Sequence, residues 1–131
     1  MGARKRLAAE ARKEARKSVA GAELRNVPTS PRRMRQVADL IRGQRIDKAL
    51  GILRFSTRHS SRELEKLLMS AISNWEAKHQ GQRADEADLV VKSIQVNEGR
   101  SLKRMLPAPQ GRAYRIRKRS NHVSLVVDTA N

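Results

Sequence analysis

Residues 92–126 read KSIQVNEGRSLKRMLPAPQGRAYRIRKRSNHVSLV, and this stretch decides the fold. Both of its ends alternate. Val90, Ile94 and Val96 share one strand face with Lys92 between them. Val123, Leu125 and Val127 share another, with Ser124 and Val126 opposite. Between the two strands lie the turn residues Pro107, Pro109 and Gly111. The simplest join is a hairpin with arms from Lys92 to Leu106 and from Arg112 to Val126. An arm of about 15 residues spans roughly 50 Å at ~3.3 Å per residue. A compact chain of this length has a radius of gyration of only ~14 Å, so the hairpin is expected to project from the body. Its outer half carries Leu102, Met105, Leu106, Tyr114 and Ile116, with no core to receive them. An isolated two-stranded ribbon is marginal in water. Whatever surrounds it is expected to hold it in place.

Charge indicates the partner. From Glu98 to Asp128 no acid intervenes, while eight bases do: Arg100, Lys103, Arg104, Arg112, Arg115, Arg117, Lys118 and Arg119. Over all 131 residues, 29 Lys and Arg stand against 13 Asp and Glu, a formal net charge of +16. Such a charge repels itself in a free domain and points to a polyanion. A basic ribbon suits packing into folded RNA, where Lys and Arg neutralise phosphates and Arg forks onto phosphate oxygens.

Other classes fall away. With no Cys, disulfide scaffolds, thiolate zinc sites and cysteine nucleophiles are excluded. No apolar run approaches the ~20 residues of a membrane helix. The basic N-terminus lacks the apolar stretch of a secretory signal, Arg6 stands where a myristoylation signal wants Ser or Thr, and Glu10 and Glu14 argue against a transit peptide. No internal repeat or low-complexity tract occurs. Length and charge together predict a basic extension over residues 1–20 and a single domain over 21–131. The extension holds Arg4, Lys5, Arg6, Arg12, Lys13, Arg16 and Lys17 but few apolar side chains. It is expected either to remain a solubilising tail or to turn helical on a partner.

Ahead of the ribbon the pattern is helical. Ser30 and Pro31 suit the start of a helix whose stripe is Met34, Val37, Ala38 and Ile41, closed by Gly43. Arg32, Arg33 and Arg35 sit in its first turns, against the helix dipole, a placement that nearby phosphates rationalise. A short helix starts at Asp47 and carries Leu50 and Leu53 to Phe55 or Thr57. The third, of about five turns, starts at Ser60 with Glu63 as a capping box. It buries Leu64, Leu67, Leu68, Ala71, Ile72 and Trp75 and closes at Gly81. Phe55 and Trp75 are both expected in the core. A third strand is expected over 19–26, ahead of Pro28.

Catalytic signals are lacking. His59, His79 and His122 have no metal-ligand spacing and are expected at the surface or facing phosphates. No Gly-rich phosphate loop occurs. Asp85, Glu86 and Asp88 are better read as a solvated loop than as a magnesium site. Ser101 and Ser124 have no base beside them in the pattern. With aromatics limited to Phe55, Trp75 and Tyr114, recognition is expected to rest on phosphates and RNA shape, not on stacked bases. No enzyme, metal or cofactor is expected.

Three stretches carry a family resemblance: Ser30-Pro31-Arg32-Arg33-Met34-Arg35-Gln36-Val37-Ala38-Asp39-Leu40-Ile41-Arg42-Gly43; Leu67-Leu68-Met69-Ser70-Ala71-Ile72-Ser73-Asn74; and Ile94-Gln95-Val96-Asn97-Glu98-Gly99, followed by Leu102-Lys103-Arg104, Gly111-Arg112-Ala113, Lys118-Arg119 and His122. In this order, over residues 20–128, the chain resembles the bacterial form of the large-subunit ribosomal protein L twenty-two family. The resemblance implies an α+β fold: three antiparallel strands packed on three helices, with two strands extended as the long hairpin. It implies a structural RNA-binding protein of the cytoplasmic ribosome that aids subunit assembly. Its partners would be large-subunit ribosomal RNA, neighbouring ribosomal proteins and the nascent polypeptide, with no membrane and no homo-oligomer. The resemblance also implies that the hairpin tip lines the polypeptide exit tunnel; by position this tip is Lys103, Arg104, Met105, Leu106, Pro107, Ala108, Pro109, Gln110, Gly111 and Arg112. The RNA-binding set is Arg32, Arg33, Arg35, Arg42, Arg100, Lys103, Arg104, Arg112, Arg115, Arg117, Lys118, Arg119 and His122, and the extension's seven bases add local contacts. Two departures stand out: a base usual in the family is missing at Ala108 or Gln110, and Trp75 replaces an often small residue.

Two rivals follow from the residues. Helices 31–42 and 47–55 around Gly43 can be read as a DNA-binding helix-turn-helix, although the second would offer only Lys48 and Arg54, with Gly51 weakening its middle. Asp85 and Asp88 with magnesium would make a nuclease.

Overall fold

The computed structural model describes residues 2–79, 82–84 and 86–130, without the side chains of Gly2, Arg16 and Ser18. The elements run α1 (Gly2–Ser18), β1 (Ala20–Val27), α2 (Pro31–Ile41), α3 (Ile46–Phe55), α4 (His59–Lys78), β2 (Leu89–Glu98), β3 (Leu102–Ala108), β4 (Arg112–Lys118) and β5 (Asn121–Thr129). β1, β5 and β2 form an antiparallel sheet in that order, and β3 pairs with β4 alone.

The body has two layers, one sheet face against helices. From β5 come Val123, Leu125 and Val127, all buried, while His122, Ser124 and Val126 on the other face are half-buried. Met34, Val37, Ala38 and Ile41 of α2 are fully buried, as the stripe predicts. Leu64, Leu67, Leu68, Ala71 and Trp75 of α4 join them, with Ile72 half-buried at the margin. Trp75 is 1% exposed and stacks on the ring of His79, centroids 4.3 Å apart.

Several local expectations need correction. In β2 the buried residues are Leu89, Val91, Ile94 and Val96, and Val90 is only half-buried. The register against β5 shifts between Val91 and Ser93; an extra residue there swaps which parity faces the core. Phe55 is 87% exposed. The α3 stripe is Ile46, Ala49 and Leu53, and Phe55, two residues past Leu53, points away from it. Helix α4 starts one residue before Ser60, with Arg58 extended at the cap and no side-chain cap bond, so the Ser60–Glu63 box does not form. Ser60 is instead buried in the first turn. Gly81, expected to close α4, lies outside the described residues. Residues 2–18 are helical, and every described side chain of α1 is exposed.

The hairpin is not one continuous ladder. The sheet ends at the pair Glu98–Asn121, and the outer ribbon begins at Leu102–Lys118. Three residues on one strand face two on the other across this gap, so the register cannot carry through. Gly99 N–H donates to the Ser120 carbonyl (2.9 Å) and Ser120 Oγ to the Arg100 carbonyl (2.5 Å), making a joint in place of a ladder. A Cβ on Gly99 would lie 2.7 Å from Ser120 Oγ, so the close approach needs glycine. At the far end Ala108 pairs with Arg112, and Gln110 (φ 63°) and Gly111 (φ 69°) turn the chain in the left-handed region.

Candidate RNA-binding surface

The joint places the ribbon base beside the N-terminal ends of two helices. Between them lies a groove of about 1170 Å³. Ser30 and Arg33 line it from α2, Arg58, His59 and Ser60 from α4, and Arg100, Leu102, Ile116, Arg117, Lys118, Arg119 and Ser120 from the ribbon and its joint. Six of the lining residues are Arg or Lys, and none is acidic. Arg58 donates to Gln36 Oε1 at 2.9 Å. Among the described residues, Arg33, Arg100, Arg117, Lys118 and Arg119 enter no ion pair. The first N–H groups of a helix also carry partial positive charge, and two helices begin at this groove. Bases in the opening turns of α2 and α4 have no internal acid there to offset them. Helix starts of this kind are ready-made sites for an anion.

The end of β1, the start of β5 and the loop at Thr29 hold the groove's wall. Asn121 is fully buried, and its Nδ2 donates to both the carbonyl and Oγ1 of Thr29, each at 2.8 Å. Asn26, at φ 56°, donates its N–H to His122 Nδ1 at 3.1 Å. The His122 ring therefore ties the end of β1 to β5.

Other predicted residues serve the fold. Arg35 forks onto the Val96 carbonyl through Nε (3.2 Å) and Nη2 (3.1 Å). Arg42 donates to the Ile94 carbonyl at 3.1 Å and pairs with Asp39 at 3.0 Å. Together with the bonds between Gly43 or Gln44 and Val91, they cover the outer edge of β2, which would otherwise offer unpaired carbonyls. Arg32 is exposed on α2 outside the groove lining.

Two groove residues, Arg58 and His59, are absent from the set that the sequence predicts. Their signal is the run Ser56-Thr57-Arg58-His59-Ser60 ahead of a helix, which places a base at a helix start.

The ribbon carries the remaining set. Opposite residues share a face, so Lys103 with Arg117 and Met105 with Arg115 lie on one side. Leu102 with Lys118, Arg104 with Ile116, and Leu106 with Tyr114 lie on the other. Leu102, Met105, Leu106 and Tyr114 are all exposed, and no core receives them. Arg4, Lys5, Arg6, Arg12, Lys13 and Lys17 are exposed along α1, while the side chain of Arg16 lies outside those described.

The two rivals gain little. Arg54 of the would-be recognition helix pairs with Glu65 at 3.4 Å. Asp88 pairs with Arg45, Asp85 lies outside the described residues, and among those described no cluster of three metal-ligating side chains occurs. Among the described residues, no helix is long and apolar enough to cross a membrane.

Comparison with known proteins identifies the family. Residues 22–128 match the model of the family described as ribosomal protein L22p/L17e. A protein of Flavobacterium johnsoniae named large ribosomal subunit protein uL22 is 62% identical over 131 residues, covering the whole chain and 96% of the relative. Proteins of the same name from Parabacteroides distasonis (60% over 129 residues, 98% of the chain and 94% of the relative) and Porphyromonas gingivalis (59% over 131 residues, 100% and 97%) are similar to it as well. On these matches the chain belongs to the ribosomal protein L22p/L17e family, whose members are structural proteins and not enzymes.

Proposed function

We propose that the protein is a structural constituent of the large subunit of a bacterial cytoplasmic ribosome, and that it binds large-subunit ribosomal RNA through the basic groove and ribbon. The observation that carries this is the groove: six bases and two helix N-terminal ends converge with no acid among the lining residues. Residues 21–131 act as one unit with the ribbon as its arm. A body and an arm joined at Gly99 and Ser120 touch RNA segments far apart in sequence, which aids subunit assembly. The tip, Lys103 to Arg112, lines the polypeptide exit tunnel beside the nascent chain. With a base usual in the family missing at Ala108 or Gln110, this tip is less positive than is usual for the family. The bases of α1 add local RNA contacts. Every described side chain of α1 is exposed, so packing within the chain does not steady it, and RNA or a neighbouring ribosomal protein holds it.

Sucrose-gradient sedimentation of the native protein from a lysate tests this reading. Co-migration with the large subunit at both low and high salt is expected of a component held by an embedded arm. Release into light fractions at moderate salt would refute it.

A further inference from the structure

We propose that Tyr114 and Leu106 form a platform on which an unpaired RNA base stacks; the proposal rests on RNA binding by the groove and extends it to a different chemistry. Tyr114 is 63% exposed and Leu106, directly opposite it on β3, is 51% exposed. The ring and the aliphatic side chain present an apolar surface that matches the π-face of a base, and Tyr114→Phe separates stacking from any bond that the phenol O–H donates to phosphate. The platform is flanked by charge. Arg112 lies two residues along the same strand on the same face, and Arg104 is the diagonal neighbour, about 7–8 Å away by strand geometry. A base on Tyr114 therefore has a guanidinium on each side for its own phosphates.

The same face leads to the groove. Leu102, Ile116 and Lys118 line that groove and lie on the Tyr114 face of the ribbon. Tyr114 is two residues beyond Ile116, about 7 Å further out. An RNA strand seated in the groove and running outward along this face reaches Tyr114 within a nucleotide or two. The opposite face, with Lys103, Arg115 and Arg117, carries no ring.

The test uses the full chain and two probes: a 12-nucleotide single-stranded RNA with one central 2-aminopurine, and a fully paired RNA duplex of equal length. Wild type and Tyr114→Phe are expected to quench the 2-aminopurine on binding. Tyr114→Leu keeps an apolar side chain but removes the ring. It is expected to abolish the quench and weaken single-strand binding about 5- to 150-fold, with duplex binding unchanged. Retained quenching and affinity in Tyr114→Leu would overturn the platform. So would an equal loss on both probes in Tyr114→Leu and Tyr114→Phe, which would mark a structural role. If neither RNA binds in a salt-dependent way to the wild type, RNA binding itself fails. If both bind and Tyr114→Leu behaves as the wild type does, the platform alone fails.

Discussion

The double substitution Arg117→Ala with Arg119→Ala removes two of the six bases that line the groove. Each base that neutralises a phosphate releases counterion, so the affinity falls with salt at a slope of about −0.7 to −0.9 per contact. If all six engage, the wild-type slope in log–log form is about −4.2 to −5.4, and the variant's is about −2.8 to −3.6. Over a fourfold rise in salt, from 50 to 200 mM, the wild type loses roughly 300- to 2,000-fold in affinity and the variant only about 50- to 150-fold. The assay is fluorescence anisotropy with transcribed large-subunit ribosomal RNA at five or more salt concentrations. An unchanged slope would mean that these side chains meet no phosphate, and the groove would lose its assignment. A variant with an altered urea midpoint would have to be set aside in favour of Arg117→Gln and Arg119→Gln, which remove both charges but keep more of the aliphatic stem.

Arg35→Ala should behave in the opposite way. It strips the fork from the Val96 carbonyl, so the urea midpoint should fall by the equivalent of about 1 kcal/mol while the salt slope of RNA binding stays as it was. Gly21→Ala places a Cβ 2.7 Å from the Leu125 carbonyl oxygen, and backbone cannot swing aside. A loss of about 1–3 kcal/mol is expected from the forced separation of β1 and β5; a thermal melt at the wild-type temperature would contradict it. Asp128 is held below its usual value of 3.8, chiefly because Lys92 donates to it, against a desolvation cost and with further help from the Thr129 N–H and nearby His79. A lowered folded value means stability that is present above pH 3.8 and lost as pH falls through the folded value. Urea midpoints of the wild type should therefore drop below about pH 4 more steeply than those of Asp128→Asn; parallel curves would show that the pair contributes nothing.

Local pattern makes much of the body legible. Met34, Val37, Ala38 and Ile41 recur at helical spacing, and all four are fully buried; burial on one helix side is a property of period, and period is local. The alternation Val123, Leu125, Val127 works likewise for β5. The eight bases from Arg100 to Arg119, with no acid among them, announce a phosphate partner by composition alone. Where a partner strand or a distant loop intervenes, the pattern misleads. Alternation puts Val90 on the core face, but an extra residue opposite β5 shifts the register, and a bulge leaves no mark in a run of Val and Ser. Its aromatic ring suggests the core for Phe55, yet its turn of helix has already rotated past the stripe.

The amino-acid sequence by itself determined the family, the sign of the partner's charge and, beyond the N-terminal extension, the element types, since these depend on composition, spacing and ordered motifs. Only the tertiary structure decided how the bases divide. Arg35 and Arg42 look like their neighbours in the chain, but the approach of α2 to the open edge of β2 turns them onto the Val96 and Ile94 carbonyls. Arg33, Arg58 and Arg117 are far apart in the chain, but the joint at Gly99 and Ser120 brings the ribbon base against two helix starts and gathers them in one groove. Whether a guanidinium satisfies a carbonyl or lines an open groove depends on what lies within hydrogen-bonding reach of it, and that distance is set by long-range packing.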